Sequence, residues 1–466
     1  MTPREEVLSW YRAATQTILS SAPGEDDADA ERTAMKDLLQ RQAKCLLAIH
    51  DATQDSVPHQ VNEALLARRL SDLVTISTSK FYAYRYDLLP CQWRQIYADA
   101  LILTTFRDVL CSLGKSTWLS ENVLDDVVAK LDRAVITAGG AGVLGAAWIE
   151  STLQLLERLS DTEQDERPAK KSKRAKHKDT RFSSEEPYGR PLVSPERACP
   201  LRKGWSLDRF EKYMNGATSP RPVVFTDLVA GWPALTDHPW KAPAYLLSRT
   251  FGGRRLVPVE VGRSYVDAGW GQELVAFKTF LSRYVSAEEA RDVGYLAQHN
   301  LFSQIPALRN DISTPDLCWS SVPPHPVDPA RDKAPLDVPL VNAWFGPART
   351  ITPLHTDAYH NLLVQVVGTK YVRLYPPWSK AMRPRGEQED GVDMSNTSSL
   401  DVGVLEGWDE DAQGTSEERQ LAKRELEGEE CWECVLGEGD TLLIPMGWWH
   451  YVRSLSVSFS VSFWWN

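Results

Sequence analysis

Through the first third of the chain, apolar residues recur at three- and four-residue spacing. Three stretches show it well: ADAERTAMKDLLQRQAKCLLAIHDAT (Ala28 to Thr53), QWRQIYADALILTTFRDVLCSL (Gln92 to Leu113) and VLGAAWIESTLQLLERL (Val143 to Leu159). The spacing predicts amphipathic helices, with Pro, Gly and Ser punctuating them. Residues 1–160 therefore read as an all-α domain. No repeat of fixed period is visible, which favours a packed helical domain and leaves a degenerate helical-hairpin array open. This part holds no catalytic constellation. His50 and His59 stand alone, as structural or solvated histidines do, and docking of a protein partner is the expected role.

Beyond residue 190 the period changes to two. Leu362 to Val367, the turn Gly368-Thr369 and Lys370 to Tyr375 predict a β-hairpin. Gly437, Gly439 and Asp440 form a turn before a buried strand, Thr441 to Ile444. After it Leu455, Val457, Phe459, Val461 and Phe463 alternate with Ser456, Ser458, Ser460 and Ser462. One face of that strand is apolar and the other is a row of small hydroxyls. Antiparallel strands of this kind predict a jelly-roll or cupin-like double sheet over 191–466. The expected class is α+β multidomain, a helical domain followed by a β domain.

Two charged segments break the pattern. Residues 161–190 are polar and Pro-bearing, the composition of a disordered linker. They contain KKSKRAKHK (Lys170 to Lys178), which suits a nuclear import signal, a nucleic-acid contact or a plain solvated tether. Residues 386–430 hold fifteen Asp plus Glu against three Lys plus Arg, a net of −12, while the whole chain carries −11. This stretch is expected to be a long, largely irregular loop that interrupts the double sheet near the rim of its site. It serves either as a tolerated surface insertion or as a field that steers basic peptides inward.

With 466 residues and 42% hydrophobic content, two ordinary domains are expected. No run of eighteen apolar residues predicts a membrane span, and MTPREEVLSWYRAA does not read as a secretory signal. Seven scattered cysteines suit reduced thiols in the nucleus or cytoplasm. Cys431 and Cys434 form a single CxxC. With no second pair, they read as ordinary strand residues before a zinc or redox site.

Chemistry concentrates in PLHTDAYHN and PMGWWHYV. His355 and Asp357 are two apart, a spacing that points both side chains to one side of a strand, and His450 would join them from a neighbouring strand. His-x-Asp is common by chance, so the surrounding strands carry the argument. Two imidazoles and one carboxylate bind non-haem Fe(II) on one face and leave the other positions open. Lys370 could return beside such a metal and pair with the far carboxylate of a dicarboxylate cosubstrate, although by itself it reads as a solvated turn residue.

Three long segments carry a resemblance: Gly294 to Ile312, Asn342 to Pro377 and Leu443 to Trp465. In these the chain closely resembles the jumonji-C (JmjC) oxygenases, which use Fe(II), 2-oxoglutarate and O2, and the likeness covers most of the chain beyond about residue 190. The resemblance implies a double-stranded β-helix with His355, Asp357 and His450 as metal ligands and catalytic centre. It implies that Lys370, helped by Tyr295 and Thr352, holds the distal carboxylate of 2-oxoglutarate, and that Asn361 holds the nearer one. It further implies that Glu260 and Trp344 grip a substrate arginine, as a carboxylate and an aromatic plane suit a guanidinium. The implied reaction is hydroxylation of arginine in basic proteins such as histones or ribosomal proteins. Demethylation of Nε-methyl-lysine at the same centre is the alternative, and a silent cupin-like scaffold is a third reading, against which the intact triad and Lys370 count. A protein or peptide partner is expected, rather than a membrane or direct binding of nucleic acid.

Overall fold

The structure is a computed structural model that describes residues 2–21, 30–52, 62–85, 88–115, 119–166, 181–267, 269–286, 292–386, 393–409 and 416–466. The chain divides into two compact units. One comprises Met1–Lys176 with Arg254–Leu256, and the other His177–Gly253 with Val257–Asn466.

In the first unit the expected periodicity forms helices α1 (Pro3–Ser20), α2 (Ala30–Asp51), α3 (Glu63–Ala83), α4 (Cys91–Lys115), α5 (Glu121–Ala138) and α6 (Gly145–Glu166). Their ends follow local chemistry. Thr2 and Glu5 make a reciprocal capping box on α1, Asn62 and Ser120 cap α3 and α5, and Gly139 closes α5 at φ 66°. On α1 the buried stripe is Val7, Tyr11, Ala14, Thr15 and Ile18, the spacing of one helical face. Helix α4 packs on α1, α2, α3 and α5, and α1 meets α6, so the helices surround a shared core rather than stack in register. No described helix is long and apolar enough to cross a membrane. Helix α6 runs to Glu166, into the stretch expected as linker. The basic residues Lys170 to Lys178 and His59 lie outside the described residues.

The second unit is a double-stranded roll. Its strands are β1 (Leu201–Arg202), β2 (Val223–Phe225), β3 (Leu256–Val261), β4 (Gly271–Ala276), β5 (Gly294–His299), β6 (Leu340–Gly346), β7 (Ile351–His355), β8 (His360–Val367), β9 (Lys370–Tyr375), β10 (Trp432–Leu436), β11 (Thr441–Ile444), β12 (Trp449–Ser454) and β13 (Ser458–Trp465). One sheet has the order β1-β2-β11-β8-β13-β6-β5-β3-β4, and the other β10-β9-β12-β7. From β6 onward the chain changes sheet at every connection but β9–β10, the back-and-forth course of a jelly roll.

This corrects the expected hairpin. β8 and β9 flank Gly368-Thr369 but belong to different sheets, with β8 paired to β11 and β13 and β9 to β10 and β12. Gly368 sits at φ 69°, where a Cβ would meet the Val457 carbonyl oxygen, so glycine alone permits this corner. The alternation along β13 has the structural meaning expected of a period of two. Phe459, Val461 and Phe463 join a core with Trp232, Trp240 and Phe345. The serines are buried on the opposite face. There Gln365 Nε2 donates to Ser458 Oγ at 2.9 Å, and Ser460 Oγ donates to Gln365 Oε1 at 2.7 Å.

The acidic segment is more ordered than expected. Its described residues include short helices at Val402–Leu405 and Ser416–Glu427. Asp401, Glu406, Asp409 and Glu425 pair with Arg263, Arg373, Arg453 and Arg383. At these four positions the charge is spent on docking the segment onto the roll.

Candidate active site

His355 ends β7 and His450 lies near the start of β12, directly across from it in the antiparallel register. Asp357 is not on the strand. It follows β7 in the turn towards β8, and the Gly447 N–H donates to its backbone carbonyl at 3.1 Å. The turn still brings its carboxylate to both rings: Oδ1 lies 3.6 Å from His355 Nε2 and Oδ2 lies 3.5 Å from His450 Nε2. The two ring centroids are 4.1 Å apart. All three ligating atoms fall within 4.8 Å of one another, and this is the one such group of His, Cys, Asp and Glu among the described residues.

Hydrogen bonds set the rings for ligation. His355 Nδ1 is 2.8 Å from the Pro353 carbonyl and His450 Nδ1 is 3.0 Å from the Trp448 carbonyl. A carbonyl only accepts, so each Nδ1 carries the proton and each Nε2 lone pair faces Asp357. Burial works against charge here. On His355 the Asp357 carboxylate outweighs burial and raises the imidazole above its ordinary value. On Asp357 burial is likewise outweighed, by the His355 bond and then the charge on both rings, which hold the carboxyl low. On His450 burial, joined by the charge on His355, pushes the value down to about 4. Two imidazoles and a carboxylate with converging lone pairs fit a divalent metal and leave the remaining positions to other ligands.

Two chambers meet at this triad. The inner one is lined by Tyr295, Thr352, Asn361, Lys370 and Val452 as well as the triad. Lys370 is 1% exposed at the start of β9, and its Nζ donates to the Tyr295 hydroxyl at 3.2 Å. Burial lowers its ammonium to about 7, and no carboxylate pairs with it among the described residues. The Asn361 amide oxygen is buried without a protein partner. A cation without a counter-charge suits a bound dicarboxylate, and of the Asn361 amide it is the NH2 end, not the oxygen, that has a hydrogen to give a carboxylate.

The outer chamber, about 360 Å³, is lined by Glu260, Tyr265, Trp344, Tyr359, Asn396 and Thr397 among others. Trp344 is held by its Nε1, which donates to Ser462 Oγ at 2.9 Å. Burial raises the Glu260 carboxyl above its ordinary value, opposed by the Trp270 indole. Tyr295, Trp344, Thr352, His355 and Asp357 line both chambers, so the triad stands at their junction. Sequence patterning did not single out Tyr265, Tyr359, Asn396 or Thr397. Asn396 and Thr397 lie inside the acidic segment, whose composition signals solvent and not a site wall. Cys431 and Cys434 are free and sit in separate core clusters, one with Tyr371 and Tyr375 and the other with Leu436. They do not form a chelating pair. His50 is bonded to Asp51 at 2.8 Å, as a surface helix histidine.

A double-stranded β-helix that gathers two histidines and an aspartate beside a buried lysine defines the 2-oxoglutarate oxygenase class. Residues 209–466 match the family model described as Cupin-like domain. The chain is 32% identical over 425 residues to "Lysine-specific demethylase 8" of Danio rerio, covering 91% of this chain and 92% of that protein. It is 38% identical over 249 residues to "Jumonji C domain-containing protein 5" of Drosophila melanogaster, covering 53% and 55%. To the human "Bifunctional peptidase and (3S)-lysyl hydroxylase JMJD7" it is 24% identical over 297 residues, covering 59% and 88%. The chain belongs to the cupin-like JmjC oxygenase family, whose chemistry uses Fe(II), 2-oxoglutarate and O2. When bound, that set oxidises 2-oxoglutarate to succinate and CO2 and inserts one oxygen atom into a substrate C–H bond.

Proposed function

We propose that this chain is a protein hydroxylase acting on arginine side chains of basic proteins. His355, Asp357 and His450 hold the iron. Lys370, with the Tyr295 and Thr352 hydroxyls, takes the distal carboxylate of 2-oxoglutarate, and Asn361 takes the carboxylate nearer the metal. The observation that carries the arginine reading is that Glu260 and Trp344 line the same outer chamber as His355 and Asp357. Glu260 is half-buried, and no cation forms an ion pair with it among the described residues. A guanidinium offers such an acid a bidentate partner and offers Trp344 a flat cation to stack on. Tyr295, Thr352 and Trp344 separate the two chambers, so cosubstrate and peptide are held apart until both reach the metal.

Removal of a methyl group from Nε-methyl-lysine at the same centre is the second reading, favoured by the names of several relatives. A methylated ammonium offers Glu260 at most two N–H donors, and none when trimethylated, where a guanidinium offers a planar pair matched to both oxygens, which sets the order of preference. Mass spectrometry of arginine and methyl-lysine peptides incubated with enzyme, Fe(II), 2-oxoglutarate and ascorbate separates the two. A gain of one oxygen on arginine supports hydroxylation. Loss of one carbon from methyl-lysine, with arginine untouched, replaces it with the second reading.

A further inference from the structure

The acidic segment reaches the outer chamber through a short stretch bonded to the free edge of β7. The Thr356 N–H donates to the Asn396 carbonyl at 2.9 Å, the Ser398 N–H donates to the Leu354 carbonyl at 2.8 Å, and Thr397 pairs antiparallel with His355 itself. Asn396 Nδ2 donates to the Thr356 carbonyl at 3.3 Å, and the Thr397 hydroxyl lies 3.3 Å from that of Tyr265. Met394, Asn396 and Thr397 thereby become part of the chamber wall. An amide and a hydroxyl placed there offer both donors and acceptors to a peptide main chain.

Charge fastens this stretch from its other side. Asp401 uses its two oxygens differently: Oδ1 accepts from the Val404 N–H at 3.1 Å and caps the short helix, while Oδ2 accepts from Arg263 at 2.6 Å. Asp409 is buried, accepts from Arg453 at 2.7 Å and lies 3.5 Å from Arg263. Arg263 also forks onto Asp267, at 2.8 and 2.9 Å. It follows β3, the strand of Glu260, and precedes Tyr265. One guanidinium therefore ties the chain that carries Glu260 and Tyr265 to the chain that carries Asn396 and Thr397.

We propose that Arg263, Asp401 and Asp409 form a latch that fixes the outer wall of the peptide chamber, making Arg263 and Asp401 positioning residues and Asn396 and Thr397 the surface they position. The inference rests on the reading of that chamber as the peptide site. Its physical basis is that a part-buried, multiply bonded ion cluster holds geometry far better than an isolated surface pair.

The test uses the full chain. Asp401→Asn keeps the oxygen that caps Val404 and removes the charge facing Arg263, so the helix survives and only the latch is weakened. Amide exchange at Thr356 and Ser398 should then quicken about tenfold, and the KM for peptide should rise by about the same factor with less hydroxylated product per succinate. Asp401→Glu should restore both. Arg263→Gln should behave like Asp401→Asn, and the double variant should be no worse than either single one. Unchanged exchange, an unchanged KM, or losses that add in the double variant would each overturn the latch. Exchange is read without any peptide, and KM is read on whichever peptide, arginine or methyl-lysine, the parent enzyme turns over. Failure of the arginine reading therefore leaves the latch test intact.

Discussion

Replacing Lys370 with methionine removes a buried ammonium while keeping the length of the side chain. Burial moves its value from 10.5 to about 7, which corresponds to about 5 kcal/mol against the charged form. The folded value lies below the unfolded one, so the unfolded chain binds the extra proton between about pH 7 and 10.5. Stability from this group therefore rises with pH across that window, and its full cost is present below pH 7. Relaxation of the surroundings reduces that cost, so Lys370→Met should stabilise the ligand-free protein at pH 6 by about 1–4 kcal/mol, with the gain shrinking towards pH 10. Calorimetry would register the gain as roughly 2–4 °C per kcal/mol. Binding of 2-oxoglutarate should move the opposite way. Loss of a charge-assisted bond of about 1.5–3 kcal/mol weakens affinity roughly 10- to 150-fold. In the parent protein, binding above pH 7 must take up a proton at Lys370, so affinity should fall about tenfold per pH unit there. Titration calorimetry with Mn(II) in place of iron measures this without turnover. A methionine variant that is less stable at pH 6 and binds 2-oxoglutarate as well as the parent would refute the reasoning and make Lys370 a packing residue.

Other outcomes follow from the same geometry. Asp357→Ala should abolish metal binding and succinate formation while leaving the far-UV circular dichroism intact; retained Co(II) absorption would exclude this triad as the metal site. Glu260→Gln should raise the KM of an arginine peptide by about 10- to 100-fold, the worth of a partly buried charge pair, and equal effects on a methyl-lysine peptide would remove the guanidinium argument. In the helical unit, burial raises the Asp99 carboxyl to about 7, with one oxygen bonded to the Val143 N–H at 2.9 Å and the other without a partner. Its folded value exceeds the unfolded one, so its contribution falls as pH rises from about 4 through 7. Asp99→Asn should raise the Tm at pH 8 and flatten its pH dependence, and an unchanged profile would count against a buried acid there. Replacing the lysines of Lys170 to Lys178 with alanine should move a fluorescent fusion out of nuclei; an unchanged distribution would leave those residues as tether.

Local pattern made much of this molecule legible, and distance in the chain hid the rest. The helices α2, α4 and α6, the strand Thr441–Ile444 and the alternation along β13 appear where periodicity places them, because burial of one face imposes the period. Sequence pairs β8 with β9 where the structure does not, since Gly-Thr between two apolar runs signals a tight reversal whether the strands pair or part. What decides is partner strands β10 to β13, remote in sequence. Asp357 shows the converse. Its two-residue spacing from His355 predicts strand geometry, yet the chain has already turned, and the carboxylate reaches the rings from a loop. Asn396 and Thr397 could not be found locally at all, because contacts remote in sequence, the β7 edge and the pairing of Asp401 and Asp409 with Arg263 and Arg453, turn an acidic stretch into a wall.

The serine row from Ser456 into β13 shows how a pattern that looks merely structural serves the site. A strand buried on both faces ordinarily runs apolar throughout, and burying four hydroxyls costs free energy unless each is bonded. Here the bonds have specific partners: Ser458 and Ser460 hold Gln365, Ser462 accepts from the Trp344 indole, and Ser456 accepts from the Thr369 N–H at 3.0 Å. The last of these secures the corner from which β9 begins with Lys370, and the third fixes the aromatic plane shared by both chambers. Larger apolar residues at the same positions would gain burial but occupy the interior and release Trp344 and the corner. The alternation therefore assigns one face to the apolar core and the other to holding Lys370 and Trp344 in the chambers that meet at the triad.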